Sequence, residues 1–174
     1  FVHGLLPRTG EVVPGVRVEW EFLPSSHLGG DFFQVVRWGE DHLGLMMLDM
    51  LGHGIGPALR AVSLSLFFKK EHIQQTFPSY DPGEILTSLN QQYPMTDDGD
   101  YFTIWVGVWQ RSTRLLRYAT AGHPGAIVVK MDRSSVVLGG CSWPIGFSDN
   151  EVYETDSLTV NSGDQMYLFS DGIF

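Results

Sequence analysis

An apolar run that ends on a carboxylate and then turns through glycines into a helix is expensive to bury, and Leu45–Leu59, LMMLDMLGHGIGPAL, is such a run. A hydrophobic strand that finishes on an acidic residue needs a partner for that charge, because an unpaired interior carboxylate is strongly disfavoured. Asp49 therefore asks for a cation. Gly52, Gly54 and Gly56 let the backbone take positive φ and come close to a bound group. Pro57-Ala58-Leu59 then suits the first turn of a helix. Strand, carboxylate, tight loop and helix together make a site architecture.

The chain just before this run supplies a second carboxylate. Phe32 to Trp38 (FFQVVRW) reads as a strand, Gly39-Glu40-Asp41 as a short polar turn, and His42 to Leu48 as the returning strand, so the two form a hairpin. The hairpin puts Asp31, at the start of one strand, beside Asp49, at the end of the other. Two like charges side by side raise at least one pKa unless a cation lies between them, and hard ions such as Mg²⁺ or Mn²⁺ favour oxygen ligands. Spacing alone leaves another reading open, in which Asp31 merely follows the Gly29-Gly30 turn and Asp49 caps the next helix.

Elsewhere the pattern alternates between strands and one helical insertion. Val12 to Leu23 places Val16, Val18, Trp20 and Phe22 at alternate positions, the period of a half-buried strand. Gly54 to Thr76 carries Ile55, Leu59, Val62, Leu66 and Ile73 near one helical face, widened by Ala58, Ala61, Leu64 and Phe68. A further helix starts at Asp81-Pro82-Gly83-Glu84, with Asp as N-cap, Pro at N1 and Glu at N3, and runs to about Gln92. Pro94 to Asp100 is a loop. Strands follow at Tyr101–Trp109, Leu115–Thr120, Ala126–Met131 and Ser135–Leu138, then a Gly/Pro loop over Gly139–Asn150, then strands at Val152–Val160 and Gln165–Ser170. Antiparallel hairpins with helices inserted between them predict an α+β layered domain. Met166 to Phe169 runs into Ser170-Asp171-Gly172, repeating the pattern at Asp49, so Asp31, Asp49 and Asp171 are expected to converge at one end of the sheets.

Charge narrows the function. With 11 Lys and Arg against 20 Asp and Glu the net charge is −9, which disfavours nucleic acid, whose binding rests on neutralising phosphates. No apolar run approaches the ~20 residues of a membrane span. The single cysteine, Cys141, excludes an internal disulfide framework or a Cys-based zinc site and fits a reducing cytoplasm. The 174 residues suit one domain. FVHGLLPRTG lacks the pattern of a signal peptide, and the abrupt start at Phe1 and stop at Phe174 read as a piece of a longer protein.

The order LLP, GGDFF, LDMLGHG, SYDPGEIL with LNQQ, FTIWVGVW, ATAGHPGAIVV, WPIGF and NSGDQMYLFSDGIF resembles the bacterial metal-dependent protein phosphatases of the SpoIIE type, relatives of eukaryotic protein phosphatase 2C. The resemblance covers nearly the whole chain in collinear order. It implies a layered β-sandwich of mainly antiparallel strands flanked by helices, and a site where two Mn²⁺ or Mg²⁺ ions activate a water for attack on phosphoserine or phosphothreonine. In it Asp49 matches the bridging metal ligand, the carbonyl of Met50 a backbone ligand, and Asp31 and Asp171 further ligands.

There are departures from the family pattern. Leu51 stands where eukaryotic relatives have a histidine, so His53 is not assigned as a general acid; His53 and His123 are read as bracing loops. Gln34 stands where an acidic residue is common, and the family's last ligating Asp lies beyond residue 174. The resemblance further implies the output domain of a signalling protein, behind a sensor or receiver. Its substrate would be a phosphorylated anti-anti-sigma-type regulator, and Gly54–Thr76 with Asp81–Gln92 would form a regulatory helix pair and a possible homodimer contact. The competing expectation is a pseudophosphatase that keeps the fold as a partner-binding module. Retention of Asp31, Asp49 and Asp171 favours the enzyme.

Overall fold

The structure is a computed structural model and describes residues 7, 9–22, 30–52, 54–94 and 101–170. The elements run β1 (Gly10–Val13), β2 (Val16–Val18), β3 (Phe32–Arg37), β4 (His42–Met50), α1 (Ile55–Phe67), α2 (Lys70–Thr76), α3 (Pro82–Gln92), β5 (Phe102–Gln110), β6 (Leu115–Ala121), β7 (Ala126–Val129), β8 (Ser135–Leu138), β9 (Asp156–Thr159) and β10 (Gln165–Tyr167). They form a five-stranded sheet in the order β3-β4-β5-β6-β9, a three-stranded sheet β10-β7-β8 and the small hairpin β1-β2. Every strand pair is antiparallel.

Strand alternation dresses the two faces of the large sheet differently. Met46, Leu48, Met50, Ile104, Val106, Val108 and Ala119 point to one side, where Leu64, Phe68, Ile73, Ile85, Leu86 and Leu89 of the helices cover them. Leu45, Trp105, Trp109, Leu116 and Tyr118 point to the other side and meet Ala126, Val128, Leu138 and Met166 of the three-stranded sheet. The result is a helical layer, a sheet and a second sheet, the layered α+β sandwich expected from the sequence. Trp20 and Phe22 pack on Phe33, with ring centroids 5.6 and 6.5 Å away, and extend the second face toward β3.

Two readings from the pattern need correction. Val12–Leu23 is not one strand: Pro14-Gly15 turns the chain, with Gly15 at φ +83°, and folds Gly10–Val13 back on Val16–Val18. Gly54–Thr76 is not one helix either. Trp38 Nε1 donates to the Phe68 carbonyl at 3.0 Å and the two rings stack, which takes that carbonyl out of the helical ladder and starts α2 afresh after Lys69. The face assignment also shifts. Ala61, Leu64 and Phe68 are buried, whereas Ile55, Leu59 and Leu66 are 68%, 58% and 53% exposed.

The cap of α3 is as expected, and it ties layers together. Asp81 Oδ1 accepts from the Glu84 N–H at 3.0 Å and from Thr155 Oγ1 at 2.7 Å, while Thr155 Oγ1 also accepts from the Gly83 N–H at 2.8 Å. Glu84 does not return a capping-box bond; its Oε2 accepts from Ser79 Oγ instead. Several strands are shorter than their composition implies. β9 covers only Asp156–Thr159 because Tyr153 turns inward, its N–H donating to Thr87 Oγ1, and β10 stops at Tyr167.

Two glycines give opposite expectations. A Cβ at Gly44 would stand 2.5 Å from the Trp38 ring, whereas at Gly56 it would meet nothing within 4 Å. Gly44→Ala should therefore lose about 1–3 kcal/mol through overpacking, and Gly56→Ala, inside α1, should gain up to about 1 kcal/mol. Urea unfolding midpoints at constant m-value read both. Asp81→Ala, which removes the cap and the bond from Thr155, should lose about 1–2 kcal/mol in the same assay.

Candidate metal centre

β3 and β4 pair from Phe32 opposite Leu48 to Arg37 opposite Leu43. One step outward from the Phe32–Leu48 rung stand Asp31 and Asp49. Directly opposed residues in such a ladder have Cβ atoms about 5 Å apart, so the hairpin makes the two carboxylates neighbours. Both are half-buried. β4 runs two residues further than its apolar content implies, pairing Asp49 with Thr103 and Met50 with Phe102, so Asp49 lies inside the strand rather than after it. By alternation Asp31 and Asp49 share the face of Phe33, Leu45 and Trp105, toward the second sheet. Met50 sends its side chain to the helical layer.

The second sheet reaches this pair. Ser170, shortly after β10, donates from Oγ to Asp31 Oδ2 at 2.9 Å. Asp171 itself lies outside the described residues, as does His53. Gly30 shows how tightly the backbone is drawn in: a Cβ there would stand 2.8 Å from the Met50 carbonyl oxygen and 3.3 Å from that of Gly52. Only glycine lets the strand carrying Asp31 lie against these oxygens. Gly52 and Gly54 hold φ of +87° and +105°, as the turn into α1 requires.

Two carboxylates and a backbone carbonyl at one sheet end are a hard-oxygen donor set, the chemistry that suits Mg²⁺ or Mn²⁺. Among the described residues no three His, Cys, Asp or Glu side chains gather in one place. Asp31, Asp49 and the Met50 carbonyl offer the oxygen chemistry of such a site; the third acidic side chain expected from the sequence is not among the described residues.

Other singled-out residues fall away from this point. Gln34 is on the helical face, so it does not adjoin the carboxylates; its Oε1 is buried without a hydrogen bond among the described residues. His123 is buried, with Nδ1 2.9 Å from the Pro124 carbonyl oxygen, and its own carbonyl accepts from Thr120 Oγ1, a bracing role. Cys141 is a free, exposed thiol. It lines a cleft of about 290 Å³ with Tyr118, Thr120, Glu151, Tyr153 and Asp156, which includes neither Asp31 nor Asp49. Sequence reasoning missed Gly30 and Ser170 as working parts. Their signals are the second glycine of Gly29-Gly30-Asp31 and the hydroxyl directly before Asp171.

Known proteins resemble this chain in sequence and fold. The chain is 25% identical over 160 residues to the phosphoserine phosphatase RsbP of Bacillus subtilis, covering 91% of this chain and 40% of RsbP. It thus spans less than half the length of that relative. Among solved structures, the RsbU and RsbW domains of Rv1364c from Mycobacterium tuberculosis superpose with a TM-score of 0.70 at 25% identity, over 86% of this chain and 40% of that one. RsbX in complex with magnesium superposes with a TM-score of 0.63 at 18% identity, over 82% of this chain and 66% of that one, a likeness of fold. Residues 39–174 match the profile of the family described as Stage II sporulation protein E (SpoIIE), and the chain belongs to that family.

Proposed function

We propose that this chain is the phosphatase domain of a longer bacterial signalling protein, and that it hydrolyses phosphoserine or phosphothreonine on a regulatory protein with the help of Mn²⁺ or Mg²⁺. The observation that carries the reading is the position of Asp31 and Asp49 one step beyond the Phe32–Leu48 rung of β3 and β4, with Gly30 drawn against the Met50 carbonyl. Membership of the SpoIIE family and the similarity to a phosphoserine phosphatase support it.

In the reaction a water oxygen bonds to phosphorus, the bond from phosphorus to the serine or threonine oxygen breaks, and that oxygen regains a proton. The products are the free hydroxyl and inorganic phosphate. Asp31, Asp49, the Met50 carbonyl and Asp171 would hold the cations. Bound there, two dications supply a more acidic water and offset the charge on the phosphoryl oxygens. Asp49 is paired with Thr103 in the β4–β5 ladder, one residue beyond the Leu48 rung with β3, so its position is fixed by the strand on which it sits. Ser170 Oγ, shortly after β10, orients Asp31 by donating to its Oδ2. No side-chain nucleophile is required by this chemistry.

The substrate belonging to this reading is a phosphorylated anti-anti-sigma-type regulator, with a sensor or receiver segment upstream in the same protein and the reaction in the cytoplasm. Among the described residues no helix is long and apolar enough to cross a membrane. Ile55, Leu59 and Leu66, exposed along α1, are the surface through which a homodimer would form.

The test is hydrolysis of p-nitrophenyl phosphate by the full-length protein with Mn²⁺. Asp49→Asn should lower the rate by at least about 100-fold and weaken Mn²⁺ binding in calorimetry. Ser170→Ala should raise the Mn²⁺ concentration for half-maximal rate about 10-fold while leaving the rate at saturating Mn²⁺ near that of the parent. A full-length protein that neither hydrolyses the ester nor binds Mn²⁺ would instead be a partner-binding relative that has lost turnover.

A further inference from the structure

The loop from Gly139 to Asn150 presents two aromatic rings to solvent on a rigid mount. Trp143 and Phe147 are 53% and 42% exposed, and they stack with centroids 4.7 Å apart and planes 6° from parallel. Between them Ile145 is fully buried and exchanges two backbone hydrogen bonds with Phe102, at 3.1 and 2.9 Å. The Trp143 carbonyl accepts from the Tyr153 hydroxyl at 3.0 Å. Asn90 clamps the far side, its Oδ1 accepting from the Gly146 N–H at 2.9 Å and its Nδ2 donating to the Ser148 carbonyl at 2.7 Å. Large rings held so firmly, yet left half in water, are the composition of an interaction surface. Their preorganisation lowers the entropic penalty of binding.

The mount is also an extension of the candidate metal centre. Phe102 pairs with Met50, and the Leu51 N–H donates to the Tyr101 carbonyl at 3.3 Å. The Tyr101 ring meets Phe147 edge-on at 6.1 Å. Tyr101 is two residues, about 7 Å, along the strand from Thr103, the partner of Asp49. Leu51, half exposed, adjoins Tyr101 through that backbone bond. A protein partner in a standard interface covers about 800 Å² on each side, a disc of about 16 Å radius. The Tyr101–Phe147 contact places the near edge of this stack on the scale of such a footprint around Asp49.

Resting on the phosphatase reading above, we infer that Trp143 and Phe147, with Leu51, form the docking surface for the phosphoprotein substrate, and that they take an apolar side chain close in sequence or space to its phosphorylated residue. The surface is ring carbon and aliphatic carbon, so it selects by apolar contact. Charge selection belongs to the metal centre.

Binding of two fluorescein-labelled phosphoserine peptides to the full-length protein, measured by anisotropy, tests this. The peptides are identical except for leucine or serine at the two positions on either side of the phosphoserine. The leucine peptide should bind at least about tenfold more tightly to the parent protein, and Trp143→Ala or Phe147→Ala should bring the two peptides within about twofold. Circular dichroism checks folding, and Trp143→Gln replaces either variant that fails it. Equal binding of both peptides by the parent, or an undiminished preference in the folded variants, would overturn the inference. Self-association of the parent that Trp143→Ala abolishes, without peptide preference, would overturn it in favour of a second copy of the chain. Hydrolysis of p-nitrophenyl phosphate by the parent protein reports on the phosphatase reading separately, because that ester carries no residue to dock.

Discussion

The register of β3 on β4 decides which way every side chain of the candidate centre points. Phe32 opposite Leu48 and Arg37 opposite Leu43 put the even-numbered residues of both strands under the helices and the odd-numbered ones between the sheets. A slip of β4 by one residue would reverse its set. It would drive Met46 and Leu48 into the second interface and turn Asp49 toward Leu64 and Phe68. The apolar residues of two interfaces therefore hold Asp31 and Asp49 in place. The carboxylates contribute little to that register themselves, since side by side they repel.

Close packing of glycine against tryptophan reinforces the same register. Gly44 leaves room for the Trp38 ring on the helical face, and Gly107 leaves room for the Trp105 ring on the other. Each indole is then fastened to another layer. Trp38 bonds the Phe68 carbonyl at the end of α1, and Trp105 Nε1 donates to the Leu138 carbonyl on β8 at 2.8 Å. Both bonds are buried, where an unpaired indole N–H or carbonyl would be costly. The large sheet is thus pinned to the helices and to the second sheet by one tryptophan each. The break between α1 and α2 follows from the first of these pins.

Local pattern made part of this legible. The Asp31–Asp49 hairpin, the Asp81 cap and the alternation of β5 follow from nearest-neighbour chemistry, which a sequence displays directly. The split helix does not, because the group that ends α1 is an indole 30 residues away in sequence. Nor does the choice of helix face: the apolar stripe of Ile55, Leu59 and Leu66 is as periodic as the buried Ala61, Leu64 and Phe68, and only packing decides between them. Val12–Leu23 misled because its alternation continues across Pro14-Gly15 without a change of phase. Gly30 carried a visible signal, but its reason, contact with the Met50 carbonyl, needed the fold.

A long-range contact ties the hairpin to the chain that follows the second sheet. The hydrogen bond from Ser170 to Asp31 joins residues 139 positions apart, across the gap between the two sheets, and Ser170 is the last described residue before Asp171. The hairpin alone brings Asp31, beside the edge strand β3, next to Asp49 on β4. Closing β10 over them adds a hydroxyl donor to Asp31 and removes solvent from one side, which strengthens attraction to a bound cation as the local dielectric falls. A cation held by these residues would stabilise the folded sandwich by mass action, because the unfolded chain does not bring Asp31 and Asp49 together.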